Sequence, residues 1–115
     1  MNGDSPIYLQ ILSYIKRGIV AGQIVDNDEL PSRRVLSALL GVNPNTIQKA
    51  YRMLEDEELI SSRSGAISYM TLDEVKTQQV REELMKSDIL NVLAATRQMG
   101  ISKTELMALI EKYWE

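Results

Sequence analysis

Thr46, Gln48, Lys49 and Arg52 fall on one side of a short segment whose other side carries Ile47, Ala50, Tyr51 and Leu54. That spacing is an amphipathic helix with a polar face made of side chains that can reach base edges and phosphates. Asn43-Pro44 opens the segment: Asn caps, and Pro takes a first helical position where its missing N–H costs nothing. Asn43 and Asn45 extend the polar set toward the helix start, where free backbone N–H groups favour phosphate. Arg33 and Arg34 begin the preceding segment. Two cations at a helix N-terminus oppose its dipole, which implies a use beyond solvation. Arg63 falls near the tip of a strand–turn–strand stretch that turns at Gly65, where a cation can approach a phosphate or a minor groove. The chemistry these groups share is nucleic-acid recognition.

Other chemistries are poorly served. The 115 residues include no cysteine and no histidine. Disulfides, thiolate or imidazole metal sites, cysteine nucleophiles and histidine-based triads are therefore excluded. No glycine-rich phosphate loop accompanies the carboxylates. The sequence is expected to be neither an enzyme nor a holder of a cofactor or metal. The net charge of −3 is spread unevenly. Up to Met70, seven Lys/Arg stand against eight Asp/Glu; from Thr71 onward, six stand against eight. The acids gather at Asp26-Asn27-Asp28-Glu29 and Glu55-Asp56-Glu57-Glu58, apart from the polar helix face. Local potential at a contact face, rather than the sum, governs binding to DNA. No apolar run approaches the ~20 residues of a membrane span, so a cytoplasmic protein without a membrane partner is expected.

The elements that position these groups are legible in outline. Ser5-Pro6 reads as a cap and first position, and Tyr8, Ile11, Leu12, Ile15 and Ile19 form an apolar stripe up to a stop at Gly22. Residues 23–31 read as a polar connector. Ser32 caps a second helix that is expected to bury Val35, Leu36, Leu39 and Leu40. Gly41-Val42 then forces a tight turn into the segment that starts at Asn43, which together make a helix-turn-helix. Leu59-Ile60 and Ser68-Tyr69-Met70 are strand-like around a tip at Gly65, a wing. Thr71 with Glu74, and Ser102 with Glu105, read as capping boxes of two further helices, the first ending at Gly100. The expected fold is mainly α with a small β-hairpin: a winged helix-turn-helix over residues 1–70 and a two-helix tail over 71–115.

The stretches Leu30-Pro31-Ser32-Arg33-Arg34-Val35-Leu36 and Leu40-Gly41-Val42-Asn43-Pro44-Asn45-Thr46-Ile47-Gln48-Lys49-Ala50-Tyr51 resemble the signature of the GntR family's DNA-binding domain. Pro6-Ile7-Tyr8-Leu9-Gln10-Ile11 is similar to that family's opening. The likeness covers about the first 70 residues. Met99-Gly100-Ile101-Ser102-Lys103-Thr104-Glu105-Leu106 in the tail is similar to the YtrA-like subfamily. The resemblance implies DNA contact by Arg34, by Asn43, Asn45, Thr46 and Gln48, and by backbone at Gly65. It also implies a regulator without a large effector domain, dimerising through its tail and acting on a transporter operon. Three positions depart from the family pattern. Pro44 stands where many relatives carry arginine, Glu58 where glycine commonly precedes the wing strand, and Ile67 in place of the second wing glycine.

Two helices of the tail's length cannot bury their apolar faces in each other completely. Leu84, Ile89, Leu93, Leu106, Ile110, Tyr113 and Trp114 are therefore expected to meet a second copy. The expected partners are double-stranded DNA carrying a pseudo-palindromic operator, and another copy of the chain. No polar groups converge among the apolar stripes to mark an effector site. The competing reading is a winged-helix module that binds another protein instead of DNA, which would leave the polar face of the third helix without a purpose.

Overall fold

The computed structural model describes residues 6–63 and 67–115. In it α1 (Ile7–Val20), β1 (Glu29–Leu30), α2 (Arg33–Leu40), α3 (Pro44–Asp56), β2 (Ile60–Arg63), β3 (Ile67–Met70), α4 (Glu74–Gln98) and α5 (Lys103–Tyr113) follow in order. The chain divides into two compact units, Met1–Arg81 and Glu82–Glu115.

In the first unit α3 packs against both α1 and α2. Ile47, Ala50, Tyr51 and Leu54 of α3 are sealed from solvent, and Leu12, Ile15 and Ile19 of α1 are buried, as the apolar spacing requires. Leu59, Ile60, Met70 and Val80 extend this core. Ile24 lies close against α1 because residue 18 is glycine. A Cβ there would come within 2.7 Å of Ile24 Cδ1. Ser5, expected to cap α1, lies outside the described residues. Pro6 stands just before the helix, and its carbonyl accepts from Leu9 and Gln10 N–H.

Two expectations are corrected in α2 and at the start of α4. Of the four apolar residues expected to be buried in α2, Leu36 is half-buried, while Val35, Leu39 and Leu40 are exposed, Leu39 by 74%. The innermost place on this two-turn helix goes to Ser37, whose hydroxyl donates to Val42 O and so holds the following turn. An eight-residue helix meets α3 along a narrow line, too narrow to cover four apolar side chains. At the start of α4 the cap is Asp73, whose Oδ1 accepts from Lys76 N–H at 2.7 Å. Thr71, expected in that role, instead pairs its Oγ1 with Ser61 Oγ at 2.9 Å and donates its backbone N–H to Leu59 O.

The wing is a three-stranded antiparallel sheet in the order β1-β3-β2. Ile60 faces Met70 and Arg63 faces Ile67 across the hairpin, and Glu29 and Leu30 face Tyr69 and Ser68 on the other edge. The third strand comes from the stretch read as connector. Two residues are too few to show an alternating pattern. In the structure the pairing is carried on by Asn27 N–H to Met70 O at 2.9 Å and Met70 N–H to Asp28 O at 2.8 Å, with Leu30 buried.

The second unit contains α5 and the rest of α4, which is followed two residues after Gln98 by Gly100 in the left-handed conformation at φ of 68°. Ser102 Oγ accepts from Glu105 N–H at 3.1 Å, the N-terminal half of the expected capping box. Thr96 is buried and donates its hydroxyl to Leu93 O. No residue of α5 is buried. No helix among the described residues is long and apolar enough to cross a membrane.

Candidate nucleic-acid interface

The turn between α2 and α3 sets the geometry of the polar face. Gly41 adopts the left-handed conformation at φ of 65° and ψ of 34°, which costs a residue with a Cβ about 1 kcal/mol. Gly41 and Val42 N–H both return to Ser37 O, and the Ser37 hydroxyl closes onto Val42 O. Ser37 is a structural residue of the motif that the sequence reading did not single out. Its signal was available: a small hydroxyl between apolar neighbours, one turn before a glycine. Ser32 caps α2 by accepting from Val35 N–H at 3.1 Å.

Asn43 caps α3 as expected, accepting from Asn45 N–H at 2.8 Å, with Pro44 in the first turn. Ile47, Ala50, Tyr51 and Leu54 anchor the inner side, so Asn45, Gln48, Lys49 and Arg52 line up on the outer side at i, i+3, i+4 and i+7. Asn45, Lys49 and Arg52 are exposed, and Thr46 and Gln48 are half-buried. Lys49 Nζ sits 4.0 Å from the centroid of the half-buried Tyr8 ring, which steadies the cation without neutralising it. The side chains of Asn45, Thr46, Gln48 and Arg52 make no hydrogen bond or ion pair among the described residues. Arg34, at the start of α2, is likewise exposed and unpaired among them.

Arg33 and Arg63 are held differently. Arg33 Nη2 lies 3.0 Å from Glu55 Oε1, and its guanidinium carbon lies 5.1 Å from the Tyr51 ring centroid. Arg63 Nη2 donates to Asn27 Oδ1 at 2.8 Å, with its guanidinium 4.5 Å from the centre of the Tyr69 ring. These two cations are engaged within the protein, while Arg34 and Arg52 are not. Gly65 lies outside the described residues. Tyr51 donates its hydroxyl to Pro31 O at 2.7 Å. Burial pushes its pKa up to about 12 against the lowering effect of Arg33, so it remains a donor throughout the neutral range.

The acids gather toward the C-terminal end of α3, where Asp56 follows Arg52 at i+4 on the same side of the helix. Glu55, Asp56, Glu57 and Glu58 sit at or beyond the C-terminal end of α3, about 15 Å along the axis from Asn45. Glu55 is taken up by Arg33, and Glu57 by Lys16 at 2.7 Å. Glu58 occupies a left-handed position at φ of 60°, which explains why a glycine suits this place before the wing strand. Its carbonyl accepts from Lys76 Nζ at 2.7 Å.

The seven residues expected to meet a second copy are all outside any sealed core. Leu84, Leu93 and Leu106 are half-buried, whereas Ile89, Ile110, Tyr113 and Trp114 are exposed, Trp114 by 78%.

A capped helix displayed across a glycine turn, followed by a small antiparallel sheet, defines a winged helix-turn-helix protein. Residues 7–69 match the family described as bacterial regulatory proteins, gntR family. The chain belongs to the GntR family. It is 37% identical over 87 residues to the HTH-type transcriptional repressor YtrA of Bacillus subtilis, covering 70% of this chain and 67% of that protein. The structure of a GntR family transcriptional regulator from Listeria monocytogenes superposes with a TM-score of 0.83 at 36% identity, covering 97% of this chain and 98% of the other. The DNA-binding domain of AraR, solved in complex with operator ORX1, superposes with a TM-score of 0.55 at 26% identity over 62% of this chain and 92% of that one.

Proposed function

We propose that the protein is a sequence-specific DNA-binding transcription regulator that acts as a homodimer on a pseudo-palindromic operator. The observation that carries this reading is the outer face of α3, where Asn45, Gln48, Lys49 and Arg52 stand in register over the first two and a half turns, with the acids gathered in the last turn and beyond it. Gln48 and Asn45 suit bidentate contact with adenine, Arg52 and Lys49 suit guanine or phosphate, and Thr46 suits either base edges or backbone. Arg34 supplies a phosphate contact from α2, and the capped start of α3 at Asn43 offers N–H groups to another. The operator complex of AraR supports the DNA partner.

The tail is the proposed dimerisation element. Its exposed Ile89, Ile110, Tyr113 and Trp114 form apolar surface that a lone chain leaves in water. A two-fold dimer would place two copies of α3 in successive major grooves about 34–36 Å apart. The repressor named in Bacillus subtilis and the tail's likeness to its subfamily support repression of a small operon, such as one for a transporter.

The experiment is to incubate the full chain with fragmented genomic DNA from its source at moderate salt, recover bound fragments and sequence them. Enrichment of a few fragments sharing a two-fold motif is expected. Uniform recovery, or none, from protein shown to be folded would overturn the reading and favour a protein partner for the same face.

A further inference from the structure

We infer that Arg33 is a positioning residue for DNA recognition: it locks the start of α2 onto the distal half of α3 and so aims Arg34, without touching DNA itself. The inference rests on the DNA-binding reading and concerns how the two arginines divide their work.

Tyr51 and Glu55 are one helical turn apart on α3 and present a ring face and a carboxylate to the same guanidinium. Tyr51 also binds the chain just before α2, through its hydroxyl to Pro31 O at 2.7 Å. The segment 31–33 is thus tied to α3 by a hydrogen bond, an ion pair and a cation–ring contact. The other end of α2 is fastened through Ser37, Gly41 and Val42. The contacts of Arg33 and Tyr51 hold the start of α2 on α3, while those of Ser37 fix the turn that leads from its other end into α3.

The state of the guanidinium fits a fastener better than a contact held in reserve. Arg33 Nε is buried with no hydrogen-bond partner among the described residues, so this cation has lost part of its hydration on being tucked in. A positive charge at the first residue of α2 opposes the helix dipole, and Glu55 offsets that repulsion. Arg34, the next residue, shares none of these partners and remains exposed. Reaching a phosphate would require Arg33 to break the Glu55 pair and leave the Tyr51 ring.

The test compares Arg33→Met, which keeps most of the stem, and Glu55→Gln with Arg34→Ala. The probes are a duplex selected by the wild-type protein from a random pool and a scrambled duplex of equal length, each titrated over a range of salt. Arg33→Met and Glu55→Gln should each weaken binding to the selected duplex by about fivefold to tenfold. Both should leave the slope of log affinity against log salt unchanged, because no phosphate contact is lost. Arg34→Ala should lower that slope by about 0.9. Three results would overturn the proposal: a slope lowered by Arg33→Met as by Arg34→Ala; tighter binding by Glu55→Gln, which would show that the freed arginine reaches DNA; or unchanged affinity with only a lowered melting temperature. Should Arg33→Met fail to fold, Glu55→Gln decides alone. If the wild-type protein selects no sequence, the DNA-binding reading falls first and this proposal with it.

Discussion

Helices α3 and α5 are of similar length and similarly rich in apolar residues, yet they end in opposite conditions. On α3, Ile47, Ala50, Tyr51 and Leu54 are sealed by α1, α2 and the start of the wing. On α5, Leu106, Met107, Leu109, Ile110 and Tyr113 find no such cover, and none is buried. The apolar residues of α3 fall on one stripe, whereas Leu106-Met107-Ala108-Leu109-Ile110 of α5 run consecutively around the helix, and the rest of the chain brings cover only to the first. The first unit seals a core around α3, although Tyr14, Val35, Leu39 and Leu40 stay exposed, and leaves the polar face of α3 free. The second leaves apolar surface free, which is what supports assigning it to self-association.

This contrast is most readily broken by core truncation. Leu54→Ala should cost about 2–5 kcal/mol in urea unfolding, because it opens a cavity in the sealed part of the first unit. Ile110→Ala, at an exposed site, should cost less than about 0.5 kcal/mol when the protein is diluted below its assembly range. Equal losses at the two sites in dilute protein would mean that the tail is covered within one chain. A charged substitution, Ile110→Glu, should shift the sedimentation of concentrated protein toward the monomer while leaving the far-UV circular dichroism intact.

A second prediction separates the functions of the polar residues. Gln48→Ala should reduce discrimination at one base pair by about 1–3 kcal/mol in competition with singly substituted duplexes, and leave other positions alone. A uniform loss over all positions would assign Gln48 to the backbone. The smallest effect is expected at the root of the wing. Glu58→Gly removes a side chain from a left-handed position and should stabilise the first unit by about 1 kcal/mol. A loss of stability on thermal unfolding would show that the Glu58 side chain contributes more than its backbone strain costs.

Much of the first unit could be read from residue types. Asn43 and Ser32 as caps, Gly41 as the turn, and the inward quartet of α3 follow from local rules that act within a few residues. What escaped is non-local. Leu39 and Leu40 look like core because they are leucines on a helix, but burial depends on whether a neighbour is there to cover them. Arg33 and Arg34 are adjacent and identical in type, and only the placement of Tyr51 and Glu55, some twenty residues on, turns one inward. Likewise β1 depends on an edge of β3 that a two-residue strand cannot announce.

Hydroxyl-radical and methylation footprinting of the full chain on a genomic fragment that it recovers tests the central claim most directly. Two protected major-groove patches about 10–10.5 base pairs apart, related by two-fold symmetry, are the expected result, and place two copies of α3 on one face of the duplex. A single patch, or protection confined to the minor groove, would contradict the account of a paired reading helix.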